Sequence, residues 1–201
     1  MKLNAKELRD VKEVDIVEKL KTIKRRPMYF ILENIYDTYN IGGLFRLADA
    51  LAIEKMYICG ESEIPPNSKI KKASIGTYKV VQWEYKKTAG EAIESAKEMV
   101  KLSNGYIIKD QKTKNNLAIQ QFNNLKIIAV EQATNSIPYT KADYSGPVAL
   151  ILGNETYGIT EETLKLADQI VEIPMFGINK SLNVIVSAAI VSYWAVNQNH
   201  L

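Results

Sequence analysis

Two periodicities alternate along this chain. Across residues 5–24, Leu8, Val11, Val14, Ile16, Val17, Leu20 and Ile23 recur at three- and four-residue spacings. That spacing predicts one apolar face on a charged helix, ended by Pro27. Short apolar runs at 29–32, 55–59, 78–83, 125–130, 148–153 and 170–173 have strand length. Between them, 41–51, 88–102, 160–167 and 181–197 read as helices, with a helical turn at 69–73. Asn40, Thr88, Thr160 and Ser181 are the expected N-caps, with Glu91 as a capping-box partner for Thr88. The stretch 103–124 carries the least pattern: Asn104-Gly105 suggests a turn, 106–109 a strand and 110–116 an exposed polar segment. Residues 34–40 and 136–146 read as loops.

Strands alternating with helices predict an α/β fold with a mainly parallel sheet and helices on both faces. Run 148–153 is apolar almost throughout, as a strand buried on both faces must be. At 201 residues the chain fits one domain with a small appendage.

Composition narrows the chemistry. The single cysteine, Cys59, rules out a disulfide within the chain, and its position closing an apolar run argues for burial. The one histidine, His200, is next to last, a poor place for a general base, so Ser-His-Asp and multi-His metal chemistry are disfavoured. No Gly-x-Gly-x-x-Gly follows a strand and no Walker A segment is present, which argues against dinucleotide and P-loop chemistry. No run is long and apolar enough to span a bilayer, and no signal core opens the chain, so the expectation is a cytoplasmic protein without a membrane partner. The net charge of +3 is modest, but basic residues cluster at Lys19–Arg26, at Lys69, Lys71 and Lys72, and at Lys109, Lys112 and Lys114.

Three segments carry the candidate chemistry. They are Asn40-Ile41-Gly42-Gly43-Leu44-Phe45-Arg46, then Leu152-Gly153-Asn154-Glu155-Thr156-Tyr157-Gly158, then Ile173-Pro174-Met175-Phe176-Gly177-Ile178-Asn179-Lys180-Ser181-Leu182-Asn183. The last two are apolar strands emptying into Gly-bearing turns, where open α/β sheets bind ligands. In this order, the three segments resemble the motifs of the SpoU/TrmH branch of SPOUT RNA 2′-O-ribose methyltransferases, over about residues 28–196. The resemblance implies a C-terminal deep trefoil knot, S-adenosylmethionine as cofactor and a homodimer. It divides the chain into an N-terminal helical extension, 1–27, and a methyltransferase domain, 28–201.

By the same resemblance, Leu152, Gly153, Asn154, Ile173, Met175, Ser181 and Leu182 would bind the cofactor. Arg46 would act on the ribose 2′-hydroxyl, supported by Asn40, Glu155, Ser181 and Asn183. A guanidinium stays charged at ordinary pH, which favours stabilising the oxyanion and holding a phosphate, with proton removal the other role open to it. Glu155 would hold Arg46 or a loop amide in place. Because few residues precede the first strand, the resemblance leans toward tRNA rather than rRNA as substrate. No metal is implied, since a sulfonium methyl is already activated. The competing reading is a non-catalytic RNA-binding scaffold that retains the knotted fold.

Overall fold

The structure is a computed structural model that describes residues 2–11, 13–110 and 124–198. In chain order its elements are α1 (Ala5–Asp10), α2 (Glu13–Lys21), β1 (Arg26–Glu33), α3 (Thr38–Leu51), β2 (Ile53–Cys59), α4 (Ser68–Ser74), β3 (Trp83–Lys86), α5 (Ala89–Asp110), β4 (Lys126–Val130), β5 (Ile137–Pro138), β6 (Val148–Leu152), α6 (Glu161–Leu164), β7 (Gln169–Glu172) and α7 (Val184–Gln198). The seven strands form one sheet in the order β3-β2-β1-β6-β4-β7-β5. Every neighbouring pair is parallel.

Strand geometry sorts the apolar side chains into two cores. Met28, Phe30 and Leu32 of β1, with Val148, Leu150 and Leu152 of β6, point into a core closed by α3, α4 and α7. Their neighbours Tyr29 and Ile31, with Ala149 and Ile151, point to the opposite face, against α5. Successive strand residues face opposite sides, so an uninterrupted apolar run is what a doubly covered strand requires. Cys59 sits in this second core, fully buried as its run implied.

Several boundaries differ from the sequence reading. The helix expected over 5–24 is two helices, because Val11 leaves the helix at φ −63°, ψ 135°. Asn4 caps the first through a reciprocal box with Glu7. The N-terminal segment is strapped to the body: Lys79 Nζ donates to the carbonyls of Arg9 and Val11 at 2.9 and 2.8 Å. Pro27, expected to end a helix, lies inside β1, where the register with β2 shifts. The strand expected at 78–83 is a 3-10 turn over Thr77–Lys79, and the edge strand begins only at Trp83. Residues 104–109, read as a turn and a strand, continue α5 to Asp110. Residues 111–116 and His200 lie outside the described residues. The loop at 136–146 contains β5 and a 3-10 turn over Tyr139–Lys141. Helix α6 is shorter than expected, though Thr160 does cap it. At α5 the Thr88 hydroxyl accepts from Glu91 N–H, while the Glu91 carboxylate reaches Lys87 N–H rather than that of Thr88.

The strand order places the crevice. Strand β6 inserts between β1 and β4, and β7 between β4 and β5. The C-terminal ends of β4, β6 and β7 therefore stand side by side, with loops leaving in different directions, the arrangement in which open α/β sheets take ligands. Among the described residues, no helix is long and apolar enough to cross a membrane.

Candidate active site

Beyond those three strand ends lies a cavity of about 320 Å³. Its apolar wall includes Val130, Leu152, Val171, Ile173, Met175, Leu182 and Val184, and its polar wall includes Glu131, Gln132, Glu155, Glu172, Lys180 and Ser181. All seven residues expected to bind cofactor (Leu152, Gly153, Asn154, Ile173, Met175, Ser181 and Leu182) line it.

The loop after β6 is shaped by Asn154. Its Oδ1 accepts from the Thr156 and Tyr157 amides at 2.8 and 2.9 Å, and its Nδ2 donates to the Asn34 carbonyl at 2.7 Å. The Asn154 backbone pairs reciprocally with Gly158. With its side chain so engaged and 7% exposed, Asn154 builds the cavity wall instead of offering a free side-chain contact. Two glycines permit the fold-back. A Cβ on Gly153 would lie 2.5 Å from the Gly158 carbonyl carbon. Gly158 has φ +70°, and a Cβ there would meet Glu131 Oε2 at 2.3 Å. Gly177, in the loop after β7, has open space around it and no positive φ.

Asn40 is not the N-cap of its helix. Asp37 takes that role, accepting from the Tyr39 amide at 2.8 Å, so Asn40 falls inside the first turn of α3 and is 5% exposed. Freed from capping, its carboxamide bridges the other two segments. Nδ2 donates to Glu155 Oε1 at 2.8 Å, and Oδ1 accepts from Asn183 Nδ2 at 2.9 Å. Ser181 is likewise not a cap. Asn183 caps α7, its Oδ1 accepting from the Ile185 amide at 2.9 Å, and Ser181 is exposed on the cavity rim. Glu155, expected to hold Arg46 or a loop amide, is instead held by the Asn40 side chain.

Arg46 stands apart from this network. It is exposed on α3, one turn beyond Gly43, whose missing side chain lets Ile185 of α7 approach. No hydrogen bond or ion pair joins it to another described residue, and it does not line the cavity. The structure thus brings Asn40, Glu155 and Asn183 together and leaves Arg46 facing solvent.

The polar lining residues that escaped the sequence reading include Glu131, Gln132, Glu172 and Lys180. Glu131 braces two loops, its Oε2 accepting from the Ile159 amide at 3.0 Å. Gln132 Nε2 donates to the Lys180 carbonyl at 2.6 Å, pinning the third loop across the cavity. Glu172 Oε2 accepts from the Ser136 hydroxyl at 2.8 Å. A signal existed, since Glu131-Gln132 directly follows an apolar strand, as Gly153 does. Of the basic clusters, Arg25 is committed internally, donating to the carbonyls of Ile53 and Val80 at 3.0 and 2.9 Å. Lys69, Lys71 and Lys72 are exposed on α4. Lys112 and Lys114 lie outside the described residues.

The model of the SpoU rRNA Methylase family matches residues 27–120 and 107–193. The Escherichia coli (strain K12) tRNA (guanosine(18)-2′-O)-methyltransferase is 27% identical over 179 residues, covering 87% of this chain and 66% of that enzyme. The Ralstonia nicotianae 23S rRNA (guanosine-2′-O-)-methyltransferase RlmB is 25% identical, covering 92% and 64%. The chain thus spans just under two thirds of the length of these curated relatives. Among solved structures, the SpoU methyltransferase AviRb from Streptomyces viridochromogenes, in complex with the cofactor AdoMet, aligns with a TM-score of 0.70 at 20% identity, covering 90% of this chain and 64% of that one.

Proposed function

The chain belongs to the SpoU rRNA Methylase family, and on that premise we propose that it transfers a methyl group from S-adenosylmethionine to a ribose 2′-hydroxyl of RNA. The observation that carries the reading is the Asn40 bridge. One buried carboxamide ties the first motif to Glu155 of the second and Asn183 of the third, beside a cavity of cofactor size. The relatives' names support both tRNA and rRNA substrates, and the Escherichia coli enzyme favours tRNA.

The cavity suits this cofactor on its own chemistry. Leu152, Ile173, Met175 and Leu182 would give an apolar bed for adenine, and backbone groups of the loops after β6 and β7 would read its edge. Carboxylates at Glu131, Glu155 and Glu172 suit a ligand carrying positive charge. When bound, the cofactor supplies an already activated methyl group.

The chain's own residues do the rest. Glu155 and Asn183, fixed through Asn40, position the substrate ribose. Ser181 on the rim contributes a hydroxyl to the same task. Arg46, with no partner among the described residues, holds the RNA phosphate and stabilises negative charge on the attacking oxygen. Lys69, Lys71 and Lys72 add phosphate contacts on the adjoining helix, since α4 packs on α3 at Gly42.

This reading includes a homodimer and a C-terminal trefoil knot. Phe176 (97% exposed), Ile178 (104%), Val186 (45%) and Tyr193 (48%) leave apolar surface on the third loop and α7 that a second copy would cover. The insertion of β6 and β7 inside the sheet supports a threaded C-terminus. Residues 1–27 are taken as an appendage to the 28–201 catalytic domain, acting in the cytoplasm.

The test is methyl transfer from labelled S-adenosylmethionine to RNA from cells lacking this gene, with product nucleosides identified by mass spectrometry. A 2′-O-methylated nucleoside establishes the reaction. Absence of both incorporation and cofactor binding would overturn it.

A further inference from the structure

Three tyrosines stand exposed on the segments that the Asn40–Glu155 bond joins and have no part in the chemistry above. Tyr36 is 47% exposed, Tyr39 53% and Tyr157 81%. Tyr157 is far from Tyr36 and Tyr39 in sequence, but two hydrogen bonds draw its loop against their segment. Asn154 Nδ2 donates to the Asn34 carbonyl, two residues before Tyr36. Asn40, next to Tyr39, donates to Glu155, two residues before Tyr157. The three rings therefore project from segments cross-linked at 2.7 and 2.8 Å beside the Asn40 bridge.

Their mounts are fixed. The Tyr39 amide donates to Asp37 Oδ1 at 2.8 Å and the Tyr157 amide to Asn154 Oδ1 at 2.9 Å. The Tyr36 hydroxyl donates to Glu61 Oε2 at 3.0 Å, which holds the ring's orientation while leaving much of its surface open. A single exposed aromatic needs no explanation, whereas three on braced, cross-linked segments form a surface. The charges beside them, Asp37, Glu61 and Glu155, are acidic and repel phosphate. What such a rim offers a nucleic acid is flat ring faces, and unpaired bases stack on exposed aromatics whatever their identity.

We propose that Tyr36, Tyr39 and Tyr157 form a stacking rim for unpaired nucleobases flanking the target ribose, so that the enzyme selects single-stranded or splayed RNA over duplex. The inference rests on the RNA methyltransferase reading. Tyrosine has only two side-chain torsions to freeze, so a stacked ring costs little ordering. Phosphate attraction then comes from Arg46 and the α4 lysines, and the rim supplies selection by strand form.

The experiment titrates a fluorescent single-stranded RNA and its duplex against wild type, against the triple Tyr→Leu variant and against the triple Tyr→Phe variant, with S-adenosylmethionine affinity and oligomeric mass measured on each. Leucine keeps apolar bulk and removes the ring face, whereas phenylalanine keeps the face. The Leu variant should bind single-stranded RNA roughly tenfold or more weaker, with KM raised more than kcat falls, and Phe should restore binding. Cofactor affinity and mass should not change. Wild-type affinity in the Leu variant, or equal loss on duplex and single strand, would overturn the proposal. A Leu variant that loses its oligomeric mass would reassign the rim to a subunit interface. A wild type that binds cofactor but no RNA would sink the methyltransferase reading itself, which separates the two failures.

Discussion

The Asn40 carboxamide donates to Glu155 at 2.8 Å across 115 residues of chain, from inside a helix where it is almost wholly buried. A second bond from Asn183 uses its oxygen, so both ends of one amide are satisfied by residues from different motifs. An amide is suited to this task, because it offers a donor to the carboxylate and an acceptor to the neighbouring amide.

Asn40→Asp should therefore damage the site more than Asn40→Ala. The aspartate places a second acceptor against Glu155, while alanine only leaves partners unpaired. Either change should cost about 1–3 kcal/mol of stability. Methyl transfer should fall at least about tenfold for the aspartate. A double-mutant cycle between Asn40→Ala and Asn183→Ala, read by denaturant melts, should show coupling of about 0.5 kcal/mol or more. Strict additivity would mean that the bridge does not form.

Arg46→Ala should separate chemistry from folding. Since no described residue holds the guanidinium, stability should change by less than about 0.5 kcal/mol. Cofactor affinity, read by calorimetry, should also hold, and transfer to RNA should drop about a hundredfold or more. Matching losses of cofactor binding and activity would place Arg46 in the scaffold.

Gly158→Ala should loosen the cavity wall. Its φ of +70° already disfavours a side chain, and the new Cβ meets the Glu131 carboxylate that braces the Ile159 amide. The expected cost is about 1–3 kcal/mol, with weaker cofactor binding. Gly153→Ala should be worse, since its Cβ meets backbone that cannot swing aside. Thermal melts and cofactor titrations of both variants give the order directly.

Cys59 gives a pH signature. Burial, reinforced by the Glu33 charge, pushes its thiol up to about 12. In the unfolded chain the value is about 8.5. The folded state thus keeps a proton that the unfolded state releases. Its contribution to stability is whole below about pH 8.5 and is lost as pH rises toward about 12. The thiol should resist aromatic disulfide reagents at pH 8 and react fully in denaturant. Between pH 8.5 and 10, stability should fall more steeply for wild type than for Cys59→Ala, and parallel slopes would reject the assignment.

Much of the fold was legible along the chain. A parallel sheet covered on both faces followed from runs such as 148–152, because a strand buried on both sides cannot carry polar residues at alternate positions. The Gly-bearing turns after β6 and β7 were legible for a similar reason, since apolar strands must end somewhere polar. Boundaries were less so. Tyr78 and Val81 looked like strand residues because β-formers also fill the 3-10 turn and loop that pack on α3, where Tyr78 meets Phe45 edge to face at 6.5 Å.

By itself, the sequence determined the layer architecture and the burial of Cys59, properties of local pattern, while the motif resemblance named seven of the residues that line the cavity. It could not decide which polar side chain caps and which one bridges. Asn40 and Ser181 both looked like caps, because local spacing rewards any Asn or Ser ahead of an apolar helix. Only the tertiary structure, by bringing Glu155 and Asn183 against α3, gave Asn40 better partners than its own backbone and left capping to Asp37 and Asn183. Hydrogen bonds between segments more than 100 residues apart are set by how strands interleave in the sheet, and no local period records that order.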